Sequence, residues 1–319
     1  MRTVGICMAV FPGKLECHPA YQMRMHHSRR RFLKTAATAS LASSVPARWV
    51  NAAEVAPGSR IKFRFAVASD LHYGQPKTPY AEMADEMVEW INGEKRGKGL
   101  DALFLNGDLT NDSPAALLDL RDKHLSKLQV PYHAIKGNHD FVDGRAESPT
   151  GSWQALWGYP ANHTFKLGGF AFILADTTAP AKSNTYLAAD IDWLRQQLEA
   201  HREAPAIFVM IHIQQRAHGV DGWPKHGVHD EAERLKGEAV MKLLESTANV
   251  RAVFHGHNHL ETGVYLSGGQ RYFFDSHLGG SWGAKRGYRI VEIHDDHTMV
   301  TYQVNAEDDD ITNRDELPA

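Results

Sequence analysis

Cysteine is nearly absent from this 319-residue chain: Cys7 and Cys17 are the only two, and both fall in the first seventeen residues. The rest of the chain therefore has no disulfide, no thiolate metal ligand and no cysteine nucleophile. Long apolar runs are missing as well. No stretch of about 18 consecutive apolar residues is present, so a bilayer-spanning helix and stable membrane insertion are not expected. Nor is there an internal repeat, a heptad pattern or a glycine period, which removes solenoids, coiled coils and collagen from consideration. What remains, at 43% hydrophobic and 23% charged, is ordinary globular composition with enough apolar side chains for a packed core.

The first fifty-three residues form a separate block. Ser28-Arg29-Arg30-Arg31-Phe32-Leu33-Lys34 precedes a weakly apolar stretch from Thr35 to Val45, and Val50-Asn51-Ala52-Ala53 supplies small residues. This order of cationic, apolar and small residues resembles a twin-arginine export signal, with cleavage after Ala52 or Ala53. It implies the twin-arginine translocation machinery as a partner and a periplasmic or secreted location. Met23 or Met25 are alternative starts, because residues before Met25 add no signal feature. No cysteine stands near the cleavage region, which argues against a lipid anchor. Without residues 1–53 the chain keeps 27 basic and 37 acidic side chains, a balance of −10. Such a surface repels a phosphate backbone, so no nucleic-acid partner is expected.

From Ile61 onward, short apolar strands alternate with amphipathic helices, and a run of strands follows. The reading is an α/β domain spanning 54–305, with residues 306–319 as a solvated acidic tail containing Glu307-Asp308-Asp309-Asp310. Polar residues gather where the strands stop: Asp70 and His72, Asp108, Asn138 with His139 and Asp140, His212, then His257 and His259. In open α/β sheets ligands bind beyond the carboxyl ends of strands, so these segments can converge in one cleft. Carboxylate, imidazole and amide donors without thiolate suit Mn, Fe or Zn. Singly, Asp70 and Asp108 fit turn roles, His212 fits a core histidine, and His257 and His259 fit a Gly/Asn turn. As an ordered set they point to metal, since turn chemistry does not demand metal ligands at every strand end.

The series Asp-x-His, Gly-Asp, Gly-Asn-His-Asp, His and Gly-His-x-His resembles the calcineurin-like metallophosphoesterase superfamily from Phe63 to Val304. The resemblance implies a four-layer α/β/β/α sandwich of two mixed sheets. It also implies two divalent or mixed-valence metal ions, one held by Asp70, His72, Asp108 and His259, the other by Asp108, Asn138, His212 and His257. A hydroxide bridging the pair would attack phosphorus in line. His139 matches the family's non-ligand histidine, and Asp140 is expected to orient its imidazole.

Thr110 stands where purple acid phosphatases carry tyrosine, and Lys136 where the protein phosphatases carry arginine. The nearest likeness is to the class III cyclic nucleotide phosphodiesterase branch, so the expected substrate is a small phosphodiester. The alternatives are a broad phosphomonoesterase and a non-catalytic metal-binding relative. Export favours scavenging of external phosphoesters. His255 sits in strand register and reads as packing. His218, His226 and His229 read as a loop able to cover the substrate, and His277 and Trp282 as either cleft or core.

Overall fold

The computed structural model describes residues 58–179, 182, 184–217, 222–224 and 227–318. The export-signal block at 1–53 lies outside them, as do His218 and His226. Alternation along the first strand sets the architecture. In β1 (Ile61–Ala68), Phe65 and Val67 point one way and Ala66 and Ala68 the other, and all four are buried. A strand covered on both faces needs a layer on each side.

Two six-stranded sheets supply one side. The first runs β12-β11-β10-β1-β2-β3, with β1 parallel to β2 (Ala102–Asn106) and β2 parallel to β3 (Tyr132–Ile135). Antiparallel strands β10 (Gly287–His294), β11 (Met299–Asn305) and β12 (Asp310–Leu317) complete it. The second runs β4-β5-β6-β7-β9-β8. Its parallel centre is β5 (Phe170–Ala175), β6 (Ile207–Ile211), β7 (Val250–His255) and β9 (Gln270–Phe274), flanked by β4 (His163–Leu167) and β8 (Gly263–Ser267).

Three buried clusters show the layering. Between the sheets, Phe65 packs on Phe104, Phe172, Phe208 and Phe254 at centroid distances of 5.4, 5.5, 5.3 and 6.1 Å. Each such phenylalanine contributes about 1.5–3 kcal/mol by burial. On the far face of the first sheet, Met87 and Ile91 of α1 (Tyr80–Gly97) and Leu117 and Leu120 of α2 (Pro114–Lys123) cover Ala66, Leu103 and Ile290. On the far face of the second, Leu194 and Leu198 of α4 (Ile191–Ala200) and Val240, Met241 and Leu244 of α5 (Glu231–Glu245) cover Ile173, Val209 and Val253. The result is the expected sandwich of two mixed sheets flanked by helices. Ser113 caps α2 by accepting from the Ala116 N–H, with Pro114 in the first turn, as its Ser-Pro sequence anticipates. A further helix, α3 (Trp153–Trp157), has only five residues.

One boundary differs from the sequence reading. Residues 310–317 are strand β12, not tail, and they pair antiparallel with β11. Leu317 is buried between the sheets and the Leu317 carbonyl accepts from Arg251, so the domain extends beyond 305. The parallel strands β1, β2, β3, β6 and β7 all end at one rim, where the site forms.

Candidate metal centre

Each strand end breaks into a loop whose backbone is fixed by its neighbour. The Asp70 N–H donates to the Gly107 carbonyl at 2.9 Å, the His72 N–H to the Asp108 carbonyl at 3.0 Å, and the Gly256 N–H to the His212 carbonyl at 3.2 Å. These bonds join four strand ends in two pairs, and glycine makes the approach passable. At Gly107 (φ +87°) a Cβ would lie 2.3 Å from Nδ1 of His212, and at Gly137 it would lie 2.0 Å from the Asp108 nitrogen. Asp70, His72, Asp108 and His257 all adopt left-handed backbone, at φ of 57°, 50°, 51° and 68°. That conformation is uncommon for residues other than glycine and persists only where the surroundings impose it.

The side chains converge. Nε2 of His259 lies 3.2 Å from Oδ1 of Asp70 and 3.0 Å from Nε2 of His72. Nε2 of His212 lies 3.2 Å from Oδ2 of Asp108, and Nε2 of His72 lies 3.8 Å from the same oxygen. The described residues contain three groups whose donor atoms all fall within 4.8 Å of one another: Asp70, His72 and His259; His72, Asp108 and His139; Asp108, His212 and His257. His72 and Asp108 link the three into one centre.

Two features suit this centre to cations. First, two of the rings are tied to backbone through their other nitrogen: Nδ1 of His212 to the Asn106 carbonyl at 2.7 Å, and Nδ1 of His259 to the Trp282 carbonyl at 3.1 Å. Donation from Nδ1 leaves Nε2 as the atom able to accept a cation in both rings. Second, Asn138 is buried with neither side-chain oxygen nor nitrogen hydrogen-bonded, a costly arrangement unless the oxygen serves a ligand.

The electrostatics agree. Burial pushes Asp70 and Asp108 up, but the facing His259 and His212 rings hold both carboxyls below the usual range. Burial lowers His212, yet Asp108 and Asp70 bring it up to about 9. His259 is likewise lowered by burial and raised, on balance, by Asp70. Burial takes His72 down to about 4 against the pull of Asp108. Two buried carboxylates that draw protons onto neighbouring imidazoles are a site that favours positive charge, and cations entering it displace those protons.

His139 and Asp140 part company. The imidazole of His139 is held by Asp112, with Nδ1 3.0 Å from Oδ1. Asp140 turns away instead. It accepts from the N–H groups of Leu109, Thr110 and Gly137 at 3.0, 2.8 and 3.1 Å, and from the Thr110 hydroxyl at 3.1 Å. The expectation that Asp140 orients His139 is therefore corrected. Buried backbone donors claim both of its oxygens, and its work is to bind the Gly107 and Gly137 loops to each other. Burial and the Asp108 charge push Asp140 up to about 6, opposed by those N–H groups. Asp112 escaped notice because it lies four residues beyond Asp108 in a loop without a motif.

The centre opens into a cleft of about 240 Å³. His72, Asp108, His139, His257 and His259 form its polar wall, and Tyr186, Asn258, Leu260 and Trp282 form the rest. Tyr186, unmarked in the sequence, packs edge-on against His257 with centroids 5.0 Å apart. His255 is a core residue, as expected: it is fully buried, with Nδ1 2.8 Å from the Ile211 carbonyl. His229 is exposed and packs edge-on against Tyr186.

This chain is similar to several known proteins. Two curated proteins named probable cyclic nucleotide phosphodiesterase are similar to this chain. The one from Synechococcus is 30% identical over 171 residues, covering 53% of this chain and 62% of its own length. The one from Psychrobacter arcticus is 27% identical over 169 residues, covering 50% and 57%. The matched part thus spans about six-tenths of each relative. Among solved structures, a dimetal phosphatase from Danio rerio has the same fold, with a TM-score of 0.57 at 14% identity, covering 81% of this chain and 99% of that one. The family model described as calcineurin-like phosphoesterase matches residues 63–261, more than half of the sequence, and the chain belongs to that family.

Proposed function

We propose that the chain hydrolyses small phosphodiesters. Asp70, His72, Asp108 and His259 would hold one divalent metal ion, and Asp108, Asn138, His212 and His257 a second. The observation that carries this reading is the convergence of His72, His212 and His257, from three other strand ends, on the carboxylate of Asp108. The oxygen and imidazole donors suit Mn, Fe or Zn. Bound cations supply Lewis acidity toward the phosphoryl oxygens and a water acidic enough to attack at neutral pH.

The protein's own groups do the rest. The Asp112 carboxylate accepts from Nδ1–H of His139 and fixes that tautomer. Nε2 of His139 is then the atom that delivers a proton to the departing ester oxygen. The His139 N–H in turn donates to Oδ1 of Asp108 at 2.7 Å, which locks the histidine's backbone to the shared carboxylate.

Preference for a diester is supported by the cleft lining. Among the described residues that line it there is no Lys or Arg. A monoester dianion carries a second charge, which proteins commonly meet with those side chains, whereas a diester carries one. The Mn²⁺-reconstituted protein is therefore expected to turn over bis-p-nitrophenyl phosphate faster than p-nitrophenyl phosphate. The reverse preference would assign a phosphomonoesterase, and folded protein inert toward both with metal present would remove the hydrolase reading.

Asp112→Asn is expected to lower kcat roughly 10- to 100-fold, the usual cost of losing a partner that orients a functional histidine. Bound metal, measured by elemental analysis, should stay at the wild-type level. A loss of metal matching the loss of rate would show instead that Asp112 acts on the metal centre.

A further inference from the structure

Trp282 is one of the few large apolar side chains left open to solvent, 45% exposed, and it stands at the rim of the cleft. Its placement is built rather than incidental. The indole lies nearly parallel to the His259 ring, 5° and 4.7 Å apart, and His277 covers the other face of His259 at 12° and 4.9 Å. His277, His259 and Trp282 therefore form a three-ring stack that ends at the cleft. The loop bearing Trp282 is fastened at both ends. The ring nitrogens of His277 lie 2.6 Å from the Gly279 carbonyl and 2.8 Å from the Ala284 carbonyl, and the Ala284 N–H donates to the His259 carbonyl at 2.8 Å. Gly283 belongs to the same construction, since a Cβ there would lie 2.3 Å from Nε2 of His277.

A tryptophan fixed in this way costs little entropy to use and offers an aromatic surface beside the reacting centre. The indole also lies near His72, with centroids 5.2 Å apart, so a group lying on it is within reach of the candidate metal ligands. Tyr186 and Leu260 also line the cleft, and Asn258 adds a hydrogen-bonding side chain. Apolar, aromatic and amide groups, with no Lys or Arg among the described lining residues, fit an uncharged planar substituent better than a second phosphate or a carboxylate.

We propose that Trp282 is the specificity-determining residue of the cleft, a stacking platform for a planar aromatic ring on one ester group. This rests on the phosphodiesterase reading above.

The test compares two five-membered cyclic phosphodiesters that differ in the base-bearing part, adenosine 2′,3′-cyclic phosphate and glycerol 1,2-cyclic phosphate, with wild type, Trp282→Leu and Trp282→Phe. The wild-type protein should favour the adenosine ester in kcat/KM. Stacking on an aromatic side chain is worth roughly 5- to 100-fold, so Trp282→Leu should reduce the preference by about that factor, mainly through KM. Trp282→Phe, which keeps a ring, should retain most of it. An undiminished preference in Trp282→Leu, or equal loss on both esters, would overturn the platform and leave Trp282 as packing for His259, with the phosphodiesterase reading intact. Wild-type protein that turns over bis-p-nitrophenyl phosphate but neither cyclic ester would overturn the platform alone, whereas protein inert toward all three would remove the phosphodiesterase reading as well.

Discussion

Asp108→Asn is expected to leave a folded protein that no longer assembles the centre. The substitution keeps an acceptor for the His139 N–H but removes the charge that faces His212 at 3.2 Å and His72 at 3.8 Å. Asp108 belongs to two of the three donor groups, so its loss weakens both candidate metal positions at once. Metal assistance is worth several kcal/mol in the transition state, so kcat should fall by about 10³-fold or more. A second readout does not depend on turnover. If metal is present at about 100 times its dissociation constant it stabilises the native state by about 2.7 kcal/mol, and chelation should lower Tm by roughly 5–10 °C in wild type. The variant should respond far less. Turnover near wild type, or an equal drop in Tm on chelation, would show that Asp108 is not a shared ligand.

The layers were legible because alternation is a strong signal where both faces of a strand are buried. Phe63, Phe65 and Val67 mark the sheet-facing side of β1, and the strand endings at Ser69, Gly107, Lys136, His212 and Gly256 locate the rim. Strand β12 was hidden because its sequence, Asp-Ile-Thr-Asn-Arg-Asp-Glu-Leu, is charged and places only Ile311 and Leu317 as apolar residues. Its place is set by backbone pairing with β11, and charge suits an edge strand that must not pair further. Helix α3 is too short to show a period. Within the site, residue types and order were legible, but the partnership of His139 was not. Asp140 is adjacent in sequence, yet its oxygens answer the buried N–H groups of Leu109, Thr110 and Gly137, while Asp112 reaches the imidazole from another loop. Sequence neighbours compete with the backbone's own demand for acceptors, and here the backbone wins.

The left-handed conformations were equally silent, although they shape the centre. Asp and His are several-fold enriched at positive φ but still adopt it in a small minority of cases, so nothing in Asp70, His72, Asp108 or His257 announced it. Together they turn four side chains inward from loops that would otherwise continue along their strands. The local backbone cost is of order 1–3 kcal/mol each, and the interlocked loop bonds between Asp70 and Gly107 and between His72 and Asp108 maintain it.

His139→Ala separates chemistry from metal binding. The imidazole is joined to Asp112 and packs edge-on against His72 with centroids 5.0 Å apart, but in the proposed assignment it is not a ligand. Removing it should cost about 10²–10⁴-fold in kcat, the usual worth of a positioned general acid, while metal content stays at the wild-type level. The loss should depend on the leaving group. With bis-p-nitrophenyl phosphate the departing phenolate needs little help from a proton, so the penalty should be small; with an alkyl diester, whose alkoxide leaves poorly, it should approach the full range. Asp112→Asn should follow the same order at lower amplitude, since it loosens the imidazole without deleting it. A His139→Ala variant that loses one equivalent of metal, or loses rate equally on aryl and alkyl esters, would place His139 among the ligands with His72 and Asp108, the grouping that its donor distances also permit.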